Sequence, residues 1–162
     1  MTIRSYTEQD IPAMTGLWNE IVDEGNAFPQ DEKLDSITAS AFFCSQSYAA
    51  VAIDEGELAG LYILHPNNVG RAGHIANASY AVKKTMRDKG IGKALVKDSL
   101  GQLSRFSFRI LQFNAVVASN TRALALYERL GFERLGTIRG GFAKDDGGFE
   151  DIVSMVYYVP SL

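Results

Sequence analysis

The apolar positions of the chain change their period repeatedly, and each change marks an element. Thr2 to Tyr6 reads as a short edge strand. Ile11, Met14, Leu17, Trp18, Ile21 and Val22 then recur at helical spacing, behind a Thr7-x-x-Asp10 capping pair and with Pro12 in the first turn. Gly25 ends that helix, Asn26-Ala27-Phe28-Pro29 reads as loop, and Asp35 or Ser36 caps a second helix to about Ser45. Tyr48 to Ile53 and Leu58 to His65 are strands joined by Asp54-Glu55-Gly56-Glu57, a hairpin signal. After a Gly/Asn-rich loop from Pro66 to Gly73, Ala76 to Val82 is short, small and apolar enough for the inside of a sheet. Lys83 to Lys89 is polar, with four positive charges against one negative, and leads into a helix whose Ile91, Leu95, Leu100 and Leu103 roughly share a face. Phe108 to Ala118 is a long apolar strand. Asn120 opens a helix over Thr121 to Leu130 that Gly131 closes, and Phe132 to Ile138 and Asp151 to Val159 are the last strands, across a Gly/Asp-rich connector from Arg139 to Glu150. The order β-α-α-β-β-β-α-β-α-β-β predicts an α/β class of mixed, α+β-like character, with helices on both faces of one sheet.

Composition narrows the function without choosing it. At 162 residues, 46% hydrophobic and 22% charged, the chain reads as a single soluble domain over residues 1–162 with one core. A net charge of −3 argues against a general nucleic-acid coat, so the lysines and arginines must act locally. No apolar run approaches a membrane span and no basic-then-apolar leader opens the chain, so no membrane partner and a cytoplasmic location are expected. The single cysteine, Cys44, excludes an internal disulfide and suits a reducing compartment; beside Phe42 and Phe43 it reads as core filler. His65 and His74 lack acidic or cysteine company at metal spacing, so no metal site is expected.

The chemistry gathers at Arg87-Asp88-Lys89-Gly90-Ile91-Gly92-Lys93. Glycines feeding a helix N-terminus leave backbone N–H groups pointing outward with partial positive charge, an anion site that the flanking cations suit to a phosphate-rich ligand. A dinucleotide fold wants a third glycine where Leu95 stands, and wants its glycines directly after the strand. A P-loop wants Gly-Lys-Ser/Thr, which does not follow. The spacing Arg87-x-x-Gly90-x-Gly92, with Val82 five residues before the arginine, resembles the pyrophosphate loop of the GNAT acetyltransferase superfamily. Asn120-Thr-Arg-Ala-Leu-Ala-Leu-Tyr127-Glu-Arg-Leu-Gly131-Phe132 resembles that family's second signature, and the element order matches over nearly the whole chain.

The resemblance implies a GNAT fold, with a central, mostly antiparallel twisted sheet of about seven strands. It implies acetyl-CoA as co-substrate, held by the loop from Arg87 to Lys93, by Asn120, and by backbone N–H groups of Ala81 and Val82 that also form the oxyanion site where two strands splay. Tyr127 becomes the general acid for the leaving thiolate. Physical spacing agrees, since seven residues is about two helical turns and puts Asn120 and Tyr127 on one side of the helix. Asn120 as a plain N-cap and Tyr127 as core remain open readings of the residues alone. Candidate bases are Glu24, Glu150, Asp151 or a held water.

On the acceptor side, Asn77 and Asn114 are amides in otherwise apolar strands, where an unpaired polar group costs about 1–3 kcal/mol. Their surroundings, GHIANASY and LQFNAVVASN, resemble GNAT members that acetylate small amino or imino acids. By that resemblance Asn77 reads a carboxylate and Asn114 and Ala115 offer main-chain acceptors; an asparagine pair bridging adjacent strands is the plainer alternative. Glu24 to Pro29, with Phe28 as a wall, falls where the family folds a loop over the acceptor cleft. The expected activity is N-acetylation of a small-molecule amine. A toxic amino-acid analogue, a protein N-terminus or lysine, and a non-catalytic acyl-CoA sensor are the alternatives. Retention of both Asn120 and Tyr127 argues against the last. The loops at this end leave room for a homodimer.

Overall fold

The structure, a computed structural model, describes residues 1–160. Its strands are β1 (Thr2–Ser5), β2 (Tyr48–Asp54), β3 (Glu57–Pro66), β4 (Ile75–Val82), β5 (Ile110–Val117), β6 (Glu133–Ala143) and β7 (Phe149–Tyr158). The α-helices are α1 (Ile11–Glu24), α2 (Thr38–Cys44), α3 (Ile91–Gln102) and α4 (Thr121–Arg129). The strands form one seven-stranded sheet in the order β1-β2-β3-β4-β5-β7-β6. Every neighbouring pair is antiparallel except β4 and β5.

Strand alternation divides the core. Ala50, Tyr62, Leu64, Ala76, Leu111 and Phe113 face α3 and α4, where Ile91, Leu95 and Leu124 cover them. Ala49, Val51, Leu61, Ile63 and Ala81 face α1 and α2, under Met14, Leu17, Trp18 and Phe43. Helices therefore lie on both faces of a sheet that is mostly antiparallel. Local signals account for the ends of the elements. Asp10 accepts from the Thr7 N–H at 2.7 Å and from Arg4 at 2.7 and 2.9 Å. Asp35, rather than Ser36, accepts from the N–H groups of Ile37 and Thr38. Glu55 and Gly56 both take positive φ, 51° and 83°, which closes the β2–β3 hairpin in two residues.

Two expectations fail. Cys44 is exposed rather than core, because the last turn of α2 points Phe43 inward and swings its neighbour out. The connector from Arg139 to Glu150 is mostly strand: β6 runs to Ala143 and β7 starts at Phe149. Its glycines serve irregular pairing instead of a loop. The register shifts between Ile138 and Phe142, Gly140 has φ 62°, and Phe142 turns in against Val117 and Ile152.

Candidate functional site

The parallel pair β4–β5 sets up the site by ending early. It holds for Ile75↔Ile110 and Ala76↔Leu111, and beyond Ala76 the strands diverge. On its other edge β4 stays paired to β3 through Val82↔Gly60. The Lys83 N–H donates to the Ala59 carbonyl at 2.9 Å. Antiparallel bonding alternates, so Ala81 shares the parity of Lys83 and its N–H also points to β3. Tyr80 and Val82 have the opposite parity and present their N–H groups to the gap. This corrects the pair expected from sequence: the free N–H groups are those of Val82 and Tyr80, not Ala81, which is buried.

β5 contributes a second irregularity. Its ladder to β7 passes from Phe113↔Met155 to Val116↔Val153, so Asn114 and Ala115 form a bulge outside the ladder. The Asn114 carbonyl accepts from Ser154 Oγ at 3.0 Å. Divergence and bulge together open the sheet, and cavities form on either side of the opening.

The larger cavity, about 660 Å³, lies against the N-terminus of α3 and is lined by Val82, Arg87, Asp88, Gly90, Ile91, Gly92 and Lys93. Gly90 caps the helix at φ 80°, a conformation costly for a side chain. A Cβ on Gly92 would meet nothing nearer than Val82 Cγ2 at 3.8 Å, so bare backbone faces open space there. Arg122 and Arg129 from α4 join the lining; no sequence signal beyond their place in the second motif marked them. Arg87 is held from two sides: Nε donates to the Val82 carbonyl at 3.3 Å, and one terminal nitrogen donates to both Glu24 oxygens at 2.7 and 2.8 Å. Arg122 pairs with Asp88. Free N–H groups, an open helix N-terminus and tethered arginines along one channel fit a long, phosphate-bearing thioester.

The smaller cavity, about 300 Å³, opens toward α1 and α2. Phe28 and Gln30 cover it, and Asn67, Asn77, Ser79 and Asn114 supply its polar wall. Phe28 is buried against Trp18, with ring centroids 4.5 Å apart, which anchors the connection between α1 and α2 over the site. The two asparagines do not pair with each other. The Asn77 amide donates across the gap to the Gln112 carbonyl at 2.9 Å, leaving one N–H and its oxygen to the cavity. Asn114 exchanges reciprocal amide bonds with Asn67, at 2.7 and 3.0 Å. Asn67 comes from a stretch that reads only as loop, whereas Ser79, two positions after Asn77, was legible as a polar position on the same strand face.

Both cavities share Ala27, Tyr80, Asn120, Ala123 and Tyr127, so they meet at α4. Asn120 caps that helix, its side-chain oxygen accepting from the Ala123 N–H at 3.2 Å. Its amide nitrogen remains for the channel. The Tyr127 ring packs on Phe113 and Phe132 at 4.5 and 5.4 Å. Burial pushes its hydroxyl above the ordinary tyrosine value, and among the described residues no protein group hydrogen-bonds it. Tyr80, by contrast, is committed: Ser99 Oγ gives its proton to the Val96 carbonyl, so the Tyr80 hydroxyl donates to Ser99 Oγ at 2.7 Å.

Other predicted residues sit elsewhere. Lys89 lines neither cavity. Glu24, expected beside the acceptor, lines the larger cavity and is bound to Arg87. Glu150 accepts from Ser119 Oγ at 2.7 Å, Asp151 accepts from the Gly140 N–H at 2.9 Å, and neither lines the acceptor cavity.

Residues 14–132 match the sequence profile of the Acetyltransferase (GNAT) family. The chain is 31% identical to the N-acetyltransferase aca1 of Schizosaccharomyces pombe, over 96% of this chain and 83% of the relative. A GCN5-related N-acetyltransferase from Kribbella flavida superposes with a TM-score of 0.88 at 32% identity, covering 97% of this chain and 96% of the other. The acetyl-CoA complex of a GNAT-superfamily phosphinothricin acetyltransferase from Sinorhizobium meliloti shares the fold, with a TM-score of 0.89 at 24% identity over 97% of this chain and 90% of that one.

Proposed function

Because the chain belongs to the acetyltransferase (GNAT) family and is an N-acetyltransferase, we propose that it moves the acetyl group of acetyl-CoA directly onto the amine of a small amino or imino acid. The observation that carries this reading is the meeting of two unlike cavities at Tyr127: a cationic channel on one side, and on the other an amide-lined chamber of about 300 Å³ without, among the described residues, an Asp, Glu, Lys or Arg in its wall. That volume lies at the small end of ligand pockets.

Acetyl-CoA supplies an activated thioester when bound. The chain's own groups do the rest. Gly90 to Gly92, Arg87, Lys93, Arg122 and Arg129 hold the phosphates, and Asn120 Nδ2 and the N–H groups of Tyr80 and Val82 hold the arm. Those two N–H groups, fixed by the strand, also face charge that develops on the carbonyl oxygen, at no reorganisation cost. The Tyr127 hydroxyl keeps a proton ready for the departing thiolate, since burial opposes its ionisation. Asn77, with its spare amide N–H, donates to the acceptor's carboxylate, and Phe28 closes the chamber.

Release of free CoA thiol tests the reading, across proline analogues, sulfone-bearing amino acids, phosphinothricin, polyamines and short peptides. Turnover confined to small amino or imino acids supports it. One observation favours a second reading, a peptide N-terminus: a further cavity, lined by Phe42, Ile63, Pro66 and Val69, shares Gln30, His65 and Asn67 with the acceptor chamber and gives an acceptor room to extend. Turnover with short peptides alone selects that acceptor. Silence with every amine while acetyl-CoA still binds moves the reading to a protein acceptor or a sensor.

A further inference from the structure

Acetyl transfer to an amine needs a proton acceptor, and every carboxylate nominated by sequence is engaged away from the chamber. Among the described residues, the lining of the acceptor cavity holds three titratable side chains: Tyr80, Tyr127 and His65. Tyr80 is tied to Ser99, and Tyr127 carries the proton for the thiolate. We propose that His65 is the general base of the reaction, a role that rests on the acetyltransferase reading above.

Placement comes from β3. His65 pairs across the ladder with Asn77, so the two side chains stand about 4.5–5.5 Å apart at Cβ on the face covered by α1 and α2. An amine whose carboxylate is held by Asn77 is therefore beside the imidazole, or one water away from it. Tautomer follows from a single contact. His65 Nδ1 lies 3.0 Å from the Pro66 carbonyl oxygen. A carbonyl can only accept, so Nδ1 carries the hydrogen, and in the neutral ring the lone pair is on Nε2.

The neighbourhood leaves His65 alone in this task. From α1–α2 come Ala27, Phe28, Pro29 and Gln30; from β5 come Phe113 to Val117; neither set titrates. Among the described residues, the lining of the adjoining cavity on its other side also contains no Asp, Glu, Lys or Arg. The acceptor ammonium gives one proton to Nε2 and exposes the lone pair that forms the C–N bond as the C–S bond breaks. The second proton, lost from the new amide nitrogen, balances the one that Tyr127 gives to the thiolate; His65 releases its proton to solvent.

The test is His65→Gln, which keeps a hydrogen-bonding side chain but accepts no proton, with His65→Ala as a second variant. The expected result is a fall in kcat/KM for the amine of about 100-fold with acetyl-CoA affinity and melting temperature unchanged. The deficit should shrink as pH rises toward the amine's own pKa, and added imidazole should restore part of the activity of His65→Ala. Wild-type kcat/KM in His65→Gln overturns the assignment, as does a deficit equal at every pH or a change confined to KM. A wild-type protein silent with all amines takes down the acetyltransferase reading as well; a slow variant of an active enzyme bears on His65 alone.

Discussion

Replacing Tyr127 by Phe removes one oxygen from the place where the two cavities meet. The fold should hardly notice. Among the described residues the hydroxyl has no hydrogen-bond partner, and the ring contacts with Phe113, Phe132 and Tyr80 survive in phenylalanine. The change in stability should stay within about 0.5 kcal/mol, about 2 °C or less in melting temperature for a domain of this size. Acetyl-CoA affinity should move by less than about threefold, because phosphates, arm and N–H donors lie on other residues. Turnover should fall by about 10²–10⁴, or about 3–5 kcal/mol of barrier, the usual worth of a positioned acid. The sign of the pH dependence follows from the raised hydroxyl pKa: an acid works protonated, and burial keeps it protonated through neutrality. The wild type should therefore show no alkaline loss of kcat from this group below about pH 10, the ordinary tyrosine value. Steady-state kinetics from pH 6 to 10, with calorimetry of acetyl-CoA binding and thermal melts on the same preparations, measure all of this. Undiminished turnover in Tyr127→Phe refutes the acid role, and activity that falls only in step with the melting temperature reduces it to packing.

Three further outcomes are expected. Gly92→Ala should leave stability equal or raised, since a Cβ there meets nothing closer than 3.8 Å, yet weaken acetyl-CoA binding about tenfold by filling the backbone's approach to phosphate; calorimetry showing unchanged affinity would count against the loop. Amide hydrogen exchange should find Ala81 protected with or without acetyl-CoA, and Tyr80 and Val82 protected only with it, because only the latter two face the gap; equal protection of all three in the free protein contradicts the parity assignment. Asp10→Asn should cost about 1–2 kcal/mol at neutral pH. Asp10 is held below the usual carboxylate range by Arg4, with Thr7 adding to it, so its contribution is full above about pH 4 and fades as pH falls further. Urea melts of both proteins should converge in acid, and a constant gap would disprove the linkage.

What sequence made legible was local. Helix periods, the hairpin turn and the two separated motifs each lie within a few residues of one another, and period and cap chemistry read at that range. Long-range pairing was not legible. Choosing Ala81 over Tyr80 as a backbone donor depends on which edge of β4 meets β3, a fact set by Gly60 some twenty positions upstream. Glu24 looked free until Arg87, 63 residues away, claimed it. The connector from Arg139 to Glu150 read as loop because glycine is scarce in regular strands, whereas a bulged edge strand uses it. A lone histidine carries no sequence pattern, so only the register opposite Asn77 and the contact to Pro66 give His65 its proposed role.

The site's economy lies in where the sheet is left unfinished. A parallel pair broken after two positions should leave the inner edges of both strands with unmet backbone groups, each worth about 1–3 kcal/mol if buried dry. The protein answers them unevenly. Arg87 takes the Val82 carbonyl and Asn77 takes the Gln112 carbonyl. These are both acceptors satisfied by side chains. Among the described residues, no side chain covers the N–H groups of Tyr80 and Val82. A gap in which the Val82 and Gln112 carbonyls are capped while the N–H groups of Tyr80 and Val82 stay open favours a ligand that brings acceptors, which the amides of a pantetheine arm and a polarised thioester oxygen both are. Closing β4 and β5 into a regular ladder would add sheet bonds and remove that selectivity, so on the proposed reading the irregularity is what the function uses.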